Sequence, residues 1–163
     1  MREFRKPLVV FTPKSLLRHP KVISPLADFT NMNFQEVIDD TSVKASSVKR
    51  VLFCSGKIYY ELLDRQQADK RTDIAIVRVE QLYPSPVEQL KAIREKYKKA
   101  TEFIWVQEEN ENMGAWPHFC RKFRKTDIEF TDVIARKESG SPATGYMKQH
   151  VAQQEAIINT AFA

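Results

Sequence analysis

The stretch Trp105-Val-Gln-Glu-Glu-Asn-Glu-Asn-Met-Gly-Ala-Trp116 decides how this chain folds. The apolar run Phe103, Ile104, Trp105, Val106 passes without a break into Glu108 and Glu109. Asn110 and Asn112 follow, then a Gly114-Ala115 pair and a second tryptophan. An apolar run ending in clustered polar groups is how an α/β protein finishes a buried strand and sets side chains at the carboxyl edge of its sheet, where such sheets assemble sites. Carboxylates are costly to bury unless paired or hydrogen-bonded. At least one of the two glutamates is therefore expected to be tied down, with Lys57 and the backbone amides of Ser55-Gly56 as candidate partners. Small Gly114 and Ala115 beside Trp116 permit close backbone approach, and a tryptophan so placed suits an interface anchor. Covering its own core is the other reading of Trp116.

Working outward, strands and helices alternate. Val51 to Cys54 is continuously apolar, as in a strand covered on both faces. Ser55-Gly56 makes the turn into a helix carrying Ile58, Tyr59, Leu62 and Leu63 on one stripe. Ile74 to Val79 reads as a second strand. Ser85-Pro86-Val87-Glu88 reads as a capping box with proline at the first helical position, ahead of the stripe Val87, Leu90, Ile93 and Tyr97. Phe103 to Val106 is the third strand of this series, Trp116 to Phe123 a short helix, and Val133 to Ala135 a further strand. A helix from about Tyr146 to Phe162 closes the chain, with Met147, Val151 and Ile158 expected to face inward. Strand–helix alternation at this spacing implies a parallel sheet covered on both sides, with right-handed crossovers. Residues 1–47 read as an arm or lead-in to a single domain spanning 1–163. The arm carries one short strand at Leu8 to Phe11, stopped by Thr12-Pro13, and a short helix through Ser15, Leu16 and Leu17. Residues 48–163 form the α/β core.

Composition narrows the function. The chain has 163 residues, 42% apolar and 29% charged, as an ordinary globular domain with a substantial core has. No run of about 18 apolar residues is present to span a bilayer, and no secretory cleavage pattern follows the basic start. Cys54 lies inside an apolar run, far from Cys120 and without metal spacing, which suits a reduced compartment. The net charge of +5 raises nucleic-acid binding. However, the clusters Arg94-Lys96-Lys98-Lys99 and Arg121-Lys122-Arg124-Lys125 suit a helix end and the wet face of an amphipathic helix, and no reading motif accompanies them. Four glycines, Gly56, Gly114, Gly140 and Gly145, exclude a dinucleotide fingerprint and a Walker loop. His19, His118 and His150 lack ligand spacing. His118 near Cys120 lacks an elbow or an orienting carboxylate, and His150 suits a hydrogen-bonded structural role. Lys57, Glu108, Glu109, Asn112, Gly114, Ala115 and Trp116 are thus structural or interface candidates. No residue receives a catalytic, cofactor-binding or metal-binding role.

Several stretches together resemble one family. They are Lys6-Pro-Leu-Val-Val-Phe-Thr-Pro-Lys-Ser-Leu-Leu-Arg-His-Pro20, Cys54-Ser-Gly-Lys-Ile-Tyr-Tyr60, Ile76-Val-Arg-Val-Glu-Gln-Leu-Tyr-Pro84, Trp105-Val-Gln-Glu-Glu109 through Trp116, and Ser141-Pro-Ala-Thr-Gly-Tyr146 to His150. In order and spacing they resemble the C-terminal domain of the thiamine-dependent, decarboxylating component of the 2-oxoglutarate dehydrogenase complex. Asn110 stands where proline is usual and Ser85 where a large apolar residue is usual, both local loop changes. The resemblance implies a transketolase-type C-terminal domain with a Rossmann-like three-layer α/β/α fold and a mostly parallel sheet. It also implies an enzyme of the tricarboxylic acid cycle that uses thiamine diphosphate and Mg²⁺, bound by upstream domains, to decarboxylate 2-oxoglutarate and succinylate a lipoyl group. The implied partners are those upstream domains, a second copy in a homodimer, and the lipoyl-bearing succinyltransferase component, with neither nucleic acid nor membrane. The implied location is bacterial cytoplasm, or the mitochondrial matrix in a eukaryote. On this reading the chain is a fragment of a larger enzyme, catalytically inert alone. The alternative is a stand-alone α/β module for an acyl-CoA or a nucleotide.

Overall fold

Strand β2 (Arg50–Cys54) lies at the centre of a five-stranded sheet ordered β1-β3-β2-β4-β5. β3 (Ile74–Val79) and β4 (Glu102–Asn110) flank it in parallel, and β5 (Asp132–Arg136) runs parallel to β4 at one edge. The two-residue β1 (Val37–Ile38) pairs antiparallel with β3 at the other edge. Register is in step across the centre, where Phe53 faces Val77 on one side and Trp105 on the other. Both faces of the central strands are covered, which is why Val51–Cys54, Ile74–Val77 and Phe103–Val106 are continuously apolar.

On one face, α3 (Val87–Lys96) and α4 (Trp116–Phe123) set Leu90, Ile93, Phe119 and Phe123 on Val51, Phe53, Val77, Phe103 and Trp105. The ring of Trp105 meets Phe119 edge-on at 4.7 Å. Burying a side chain of this size contributes about 2–3 kcal/mol. On the other face, α2 (Ile58–Ala68) and α5 (Met147–Ala161) cover Leu52, Cys54, Ile76, Ile104 and Val106 with Ile58, Leu62, Ile157 and Ala161. The fold is therefore the three-layer α/β/α arrangement with a mostly parallel, Rossmann-like sheet. The chain passes from β2 to β3 on one side and then to β4 on the other. The crevice where doubly wound sheets place ligands thus opens at the carboxyl ends of β2 and β4.

The computed structural model describes residues 4–7 and 9–163, in two compact units, Met1–Asn33 and Phe34–Ala163. The first unit holds a 3₁₀ turn at Lys14–Leu16 and the short helix α1 (Leu26–Asn31), neither with a buried residue. The strand expected at Leu8 to Phe11 is not formed over its described part. Val9, Val10 and Phe11 belong to no strand and are 69%, 70% and 94% exposed, while Leu8 lies outside the described residues. Strand propensity alone does not make a strand without a neighbouring edge to bond. Residues read as lead-in include β1 of the second unit.

Three further expectations are corrected. β4 continues past the expected end at Val106 to Asn110, so Glu108 and Glu109 lie on the strand itself. Ser85 caps no helix: α3 starts at Val87 behind Pro86, and the Ser85 hydroxyl bonds the Leu82 carbonyl at 3.3 Å and His118 Nε2 at 3.0 Å. Met147 and Val151 are 75% and 45% exposed, and the face that α5 buries carries Gln154, Ile157 and Ala161, with Ile158 half-buried beside them. Polar Gln154 interrupts the apolar period there and displaced the reading by part of a turn.

Candidate functional site at the carboxyl edge

Gln107 is a hub that the sequence reading missed. It directly follows the apolar run Phe103–Val106 on β4 and is 3% exposed. Its Oε1 accepts from Trp105 Nε1 at 2.9 Å and from the Trp116 backbone N–H at 3.0 Å. Its Nε2 donates to the carbonyls of Asn110 at 2.9 Å and Met113 at 2.8 Å. One side chain thereby satisfies four polar groups around the turn that ends in Gly114-Ala115-Trp116, as buried polar atoms require. Gly114 is held at φ +67°, and a Cβ there would lie 3.0 Å from Gln107 Oε1 and 3.1 Å from Glu109 Cβ. Glycine is therefore required both by the backbone conformation and by the space. Ala115 caps α4, while Trp116 is half-buried against the core of its own domain and meets Phe130 edge-on at 6.1 Å.

The crevice between β2 and β4 holds a closed ring of polar contacts. Lys57, at the start of α2, donates to Glu108 Oε1 at 2.5 Å and to Glu61 Oε1 at 3.2 Å. Gln154 of α5 donates from Nε2 to the same Glu108 oxygen at 3.2 Å and to Glu61 Oε2 at 3.1 Å. Burial alone would pull the Lys57 pKa down, but the hydrogen bond and charge of Glu108, then those of Glu61, outweigh it and raise the value. The expected tie between Glu108 and Lys57 is present, whereas no bond to the Ser55 and Gly56 amides is seen. Gln154 Oε1 also accepts from Arg136 Nη2 at 3.1 Å, and the same Nη2 lies 3.1 Å from His150 Nδ1. Arginine has no lone pair to offer, so His150 Nδ1 is the acceptor.

The remaining candidates sit around this ring. Asn112 is exposed and clamps Ser139 in both directions, donating to its carbonyl at 3.0 Å and accepting from its N–H at 3.2 Å. Glu109 is exposed on β4. Asp39 and Asp40, in the loop that follows β1, carry structural contacts. Asp39 accepts from the hydroxyl of buried Tyr97 at 2.8 Å, and from Lys96. Asp40 accepts from Gln66 at 2.9 Å and from the Ile76 N–H at 3.0 Å. Burial works to raise the Asp40 pKa, but hydrogen bonds from Ser42, Gln66 and Ile76 hold it below the ordinary carboxylate value. Burial pushes the Cys54 thiol up to about 12, while Cys120 is exposed.

Chemically this edge is a lock. Glu61 and Glu108 are committed to a lysine and an amide, and Gln107 has no free donor or acceptor. Among the described residues no three His, Cys, Asp or Glu side chains are grouped to hold a metal ion. Among the same residues no helix is long and apolar enough to cross a membrane.

A mostly parallel sheet ordered in this way, with helices on both faces and a ring of polar contacts at its switch-point crevice, defines a Rossmann-like α/β/α domain. A family model described as 2-oxoglutarate dehydrogenase C-terminal matches residues 23–162. The chain is 44% identical over its whole length to the 2-oxoglutarate dehydrogenase E1 component of Cupriavidus necator, and 43% identical over 99% of its length to that of Haemophilus influenzae. It is 42% identical over 94% of its length to the oxoglutarate dehydrogenase of Buchnera aphidicola. This chain belongs to the family of 2-oxoglutarate dehydrogenase C-terminal domains. It spans about 18% of the length of the curated relatives it matches.

Proposed function

We propose that this chain serves as the C-terminal domain of an enzyme that oxidatively decarboxylates 2-oxoglutarate and passes the succinyl group to a lipoyl carrier in the tricarboxylic acid cycle. The observation that carries this reading is the match of nearly all of the chain to less than a fifth of relatives bearing that enzyme's name. In this proposal thiamine diphosphate and Mg²⁺ supply the decarboxylation chemistry and are held by the rest of the enzyme. Support comes from the carboxyl edge, where Lys57, Glu61, Glu108 and Gln154 are spent on one another. The domain then contributes a rigid surface to its own upstream domains and to a second copy of the enzyme, with the Gly114-Ala115-Trp116 turn at or near that contact. The succinyltransferase component is the further partner, and the expected location is bacterial cytoplasm, or the mitochondrial matrix in a eukaryote.

The test uses the full-length protein with thiamine diphosphate, Mg²⁺ and an artificial electron acceptor. Turnover of 2-oxoglutarate in clear preference to pyruvate is expected, and no turnover of 2-oxoglutarate overturns the proposal. Calorimetry of the 163-residue chain with thiamine diphosphate and Mg²⁺ is expected to show no binding. Micromolar affinity there would place cofactor chemistry in this domain.

A further inference from the structure

β5 is an edge strand, and no other strand among the described residues pairs with its outer side. The Arg136 carbonyl accepts from the Glu111 N–H, so Arg136 turns its backbone groups toward β4. By the two-residue repeat, Asp132 and Ile134 do the same, and Val133 and Ala135 turn theirs outward. The Val133 N–H is met by the neighbouring Asp132 Oδ1, at 2.7 Å. Alongside this edge runs a groove of about 490 Å³, lined by residues 132–137 and by Gln153, Ala156, Ile157 and Thr160 of α5.

Arg136 at the far end of the strand is 8% exposed, and among the described residues its Nε has no hydrogen-bond partner. The contacts of its guanidinium are neutral: Gln153 at 3.4 Å, Gln154 at 3.1 Å and His150 at 3.1 Å. A buried cation without a carboxylate is an incomplete arrangement. The strand's own sequence supplies what is missing. Asp132-Val133-Ile134-Ala135-Arg136 is self-complementary when paired antiparallel about Ile134. Asp132 then falls opposite Arg136 of the second copy and Ile134 opposite itself, and Val133 and Ala135 exchange the outward hydrogen bonds. The Val133 N–H passes from its Asp132 cap to a carbonyl of the other strand, which frees the carboxylate for the arginine. Any other register leaves the aspartate or the arginine facing an apolar residue.

We propose that β5 is a homotypic docking edge, joining two copies of this chain through antiparallel β5–β5 pairing across a two-fold axis at Ile134. An isologous contact of this kind needs a self-complementary patch, and the strand provides one. α5 provides the second layer, because Ala152, Ala156 and Thr160 are exposed at four-residue spacing and allow two such helices to approach closely. The inference rests on strand geometry and charge, independent of the enzymatic reading above.

Disulfide trapping in the whole chain tests it, in a Cys120→Ser background that removes the exposed native thiol. In the proposed register Ile134 faces itself in a close, non-hydrogen-bonded pair, within reach of a disulfide. Ala135 meets Val133 of the other copy and lies too far from its own mate. Under mild oxidation Ile134→Cys is expected to give a linked dimer and Ala135→Cys a monomer. Adding Asp132→Arg to Ile134→Cys sets two cations opposite each other and is expected to cut the linked fraction at least tenfold. Equal linking of the two cysteine variants, or no response to Asp132→Arg, overturns the proposal. If Ile134→Cys loses its native circular dichroism, sedimentation of Asp132→Arg against the parent chain decides. A dimer dissociation constant raised at least tenfold supports the edge, and identical behaviour overturns it.

Discussion

Replacing Gln107 with alanine removes both acceptor and donor from the turn that carries Gly114, Ala115 and Trp116. The Trp105 indole N–H and the Trp116 backbone N–H lose the oxygen they share, at 2.9 and 3.0 Å. The carbonyls of Asn110 and Met113 lose their donors. A buried donor left unsatisfied costs about 1–3 kcal/mol. Trp105 is 1% exposed, so water reaches the Trp116 amide more easily than the indole. Two donors therefore set an expected loss of about 2–6 kcal/mol, a large part of the stability of a domain this size. The coupling to Gly114 makes the reasoning stricter. Gly114→Ala in the parent chain forces a Cβ to within 3.0 Å of Gln107 Oε1 in addition to the strain of φ +67°. In a Gln107→Ala background the clash with that oxygen is gone, while the backbone strain and the 3.1 Å approach to Glu109 Cβ remain. Gly114→Ala should then cost at least about 0.5–1 kcal/mol less than in the parent, the scale of interaction between residues in contact. Urea unfolding followed by far-ultraviolet circular dichroism and tryptophan fluorescence measures all four corners of this cycle. A Gln107→Ala loss under about 0.5 kcal/mol, the range of an ordinary surface substitution, would refute the hub.

Asp40→Ala is expected to cost about 1–3 kcal/mol at neutral pH. The folded carboxyl is held below its ordinary pKa, so its contribution is present above about pH 4 and lost as pH falls further. Acid titrations of parent and variant should therefore converge below that point. Glu108→Gln should cost only about 0–1 kcal/mol, because the Lys57 pair is partly exposed and screened. Lys57 is raised in the folded state, so the pair's contribution persists below about pH 10.4 and disappears at higher pH, where parent and variant should unfold alike. In the full-length enzyme the same substitution should leave turnover within tenfold, and a loss of about 10²-fold or more, the range of general acid–base catalysis, would give Glu108 a catalytic role. A thiol reagent should titrate one cysteine in the native chain and two in denaturant, since Cys54 is fully buried with a thiol pushed up to about 12. Native reaction of both would contradict the packing around β2.

The parallel strands were legible because a strand covered on both faces leaves a continuous apolar run, as Val51–Cys54, Ile74–Val77 and Phe103–Val106 do. Lys57 and Glu108 could be paired in advance because adjacent parallel strands deliver their carboxyl ends to the same place. What escaped reading shares one cause, which is that hydrogen bonding and not hydrophobicity fixes it. Gln107 and Gln154 are buried amides, and a pattern of apolar residues treats both as surface. Asp39-Asp40 has turn composition, and only the positions of Tyr97, Gln66 and Ile76 reveal that it anchors the sheet beside β1. Ser85-Pro86-Val87-Glu88 has a helix-capping pattern, yet its serine faces Leu82 and His118, where the pattern has no information.

The placement of α5 follows from the same point. Along Met147–Ala161 the apolar stripe is sparse, with Met147 and Val151 in solvent and Ile157 and Ala161 buried near one end. A helix with so little apolar contrast could slide or rotate on the sheet at small hydrophobic cost. Gln154 removes that freedom, since it must meet Glu61 on α2, Glu108 on β4 and Arg136 on β5 together. Only one axial position and one rotation of α5 satisfy all three. The ring adds little net stability, as partly exposed ion pairs do, and its effect is to select one arrangement over near neighbours, a role attested for polar groups in helix pairing. That selection matters for the edge beyond it. The same rotation that turns Gln154 inward turns Ala152, Ala156 and Thr160 outward beside β5, so the lock at the carboxyl crevice also sets the surface that the strand edge offers to a second copy.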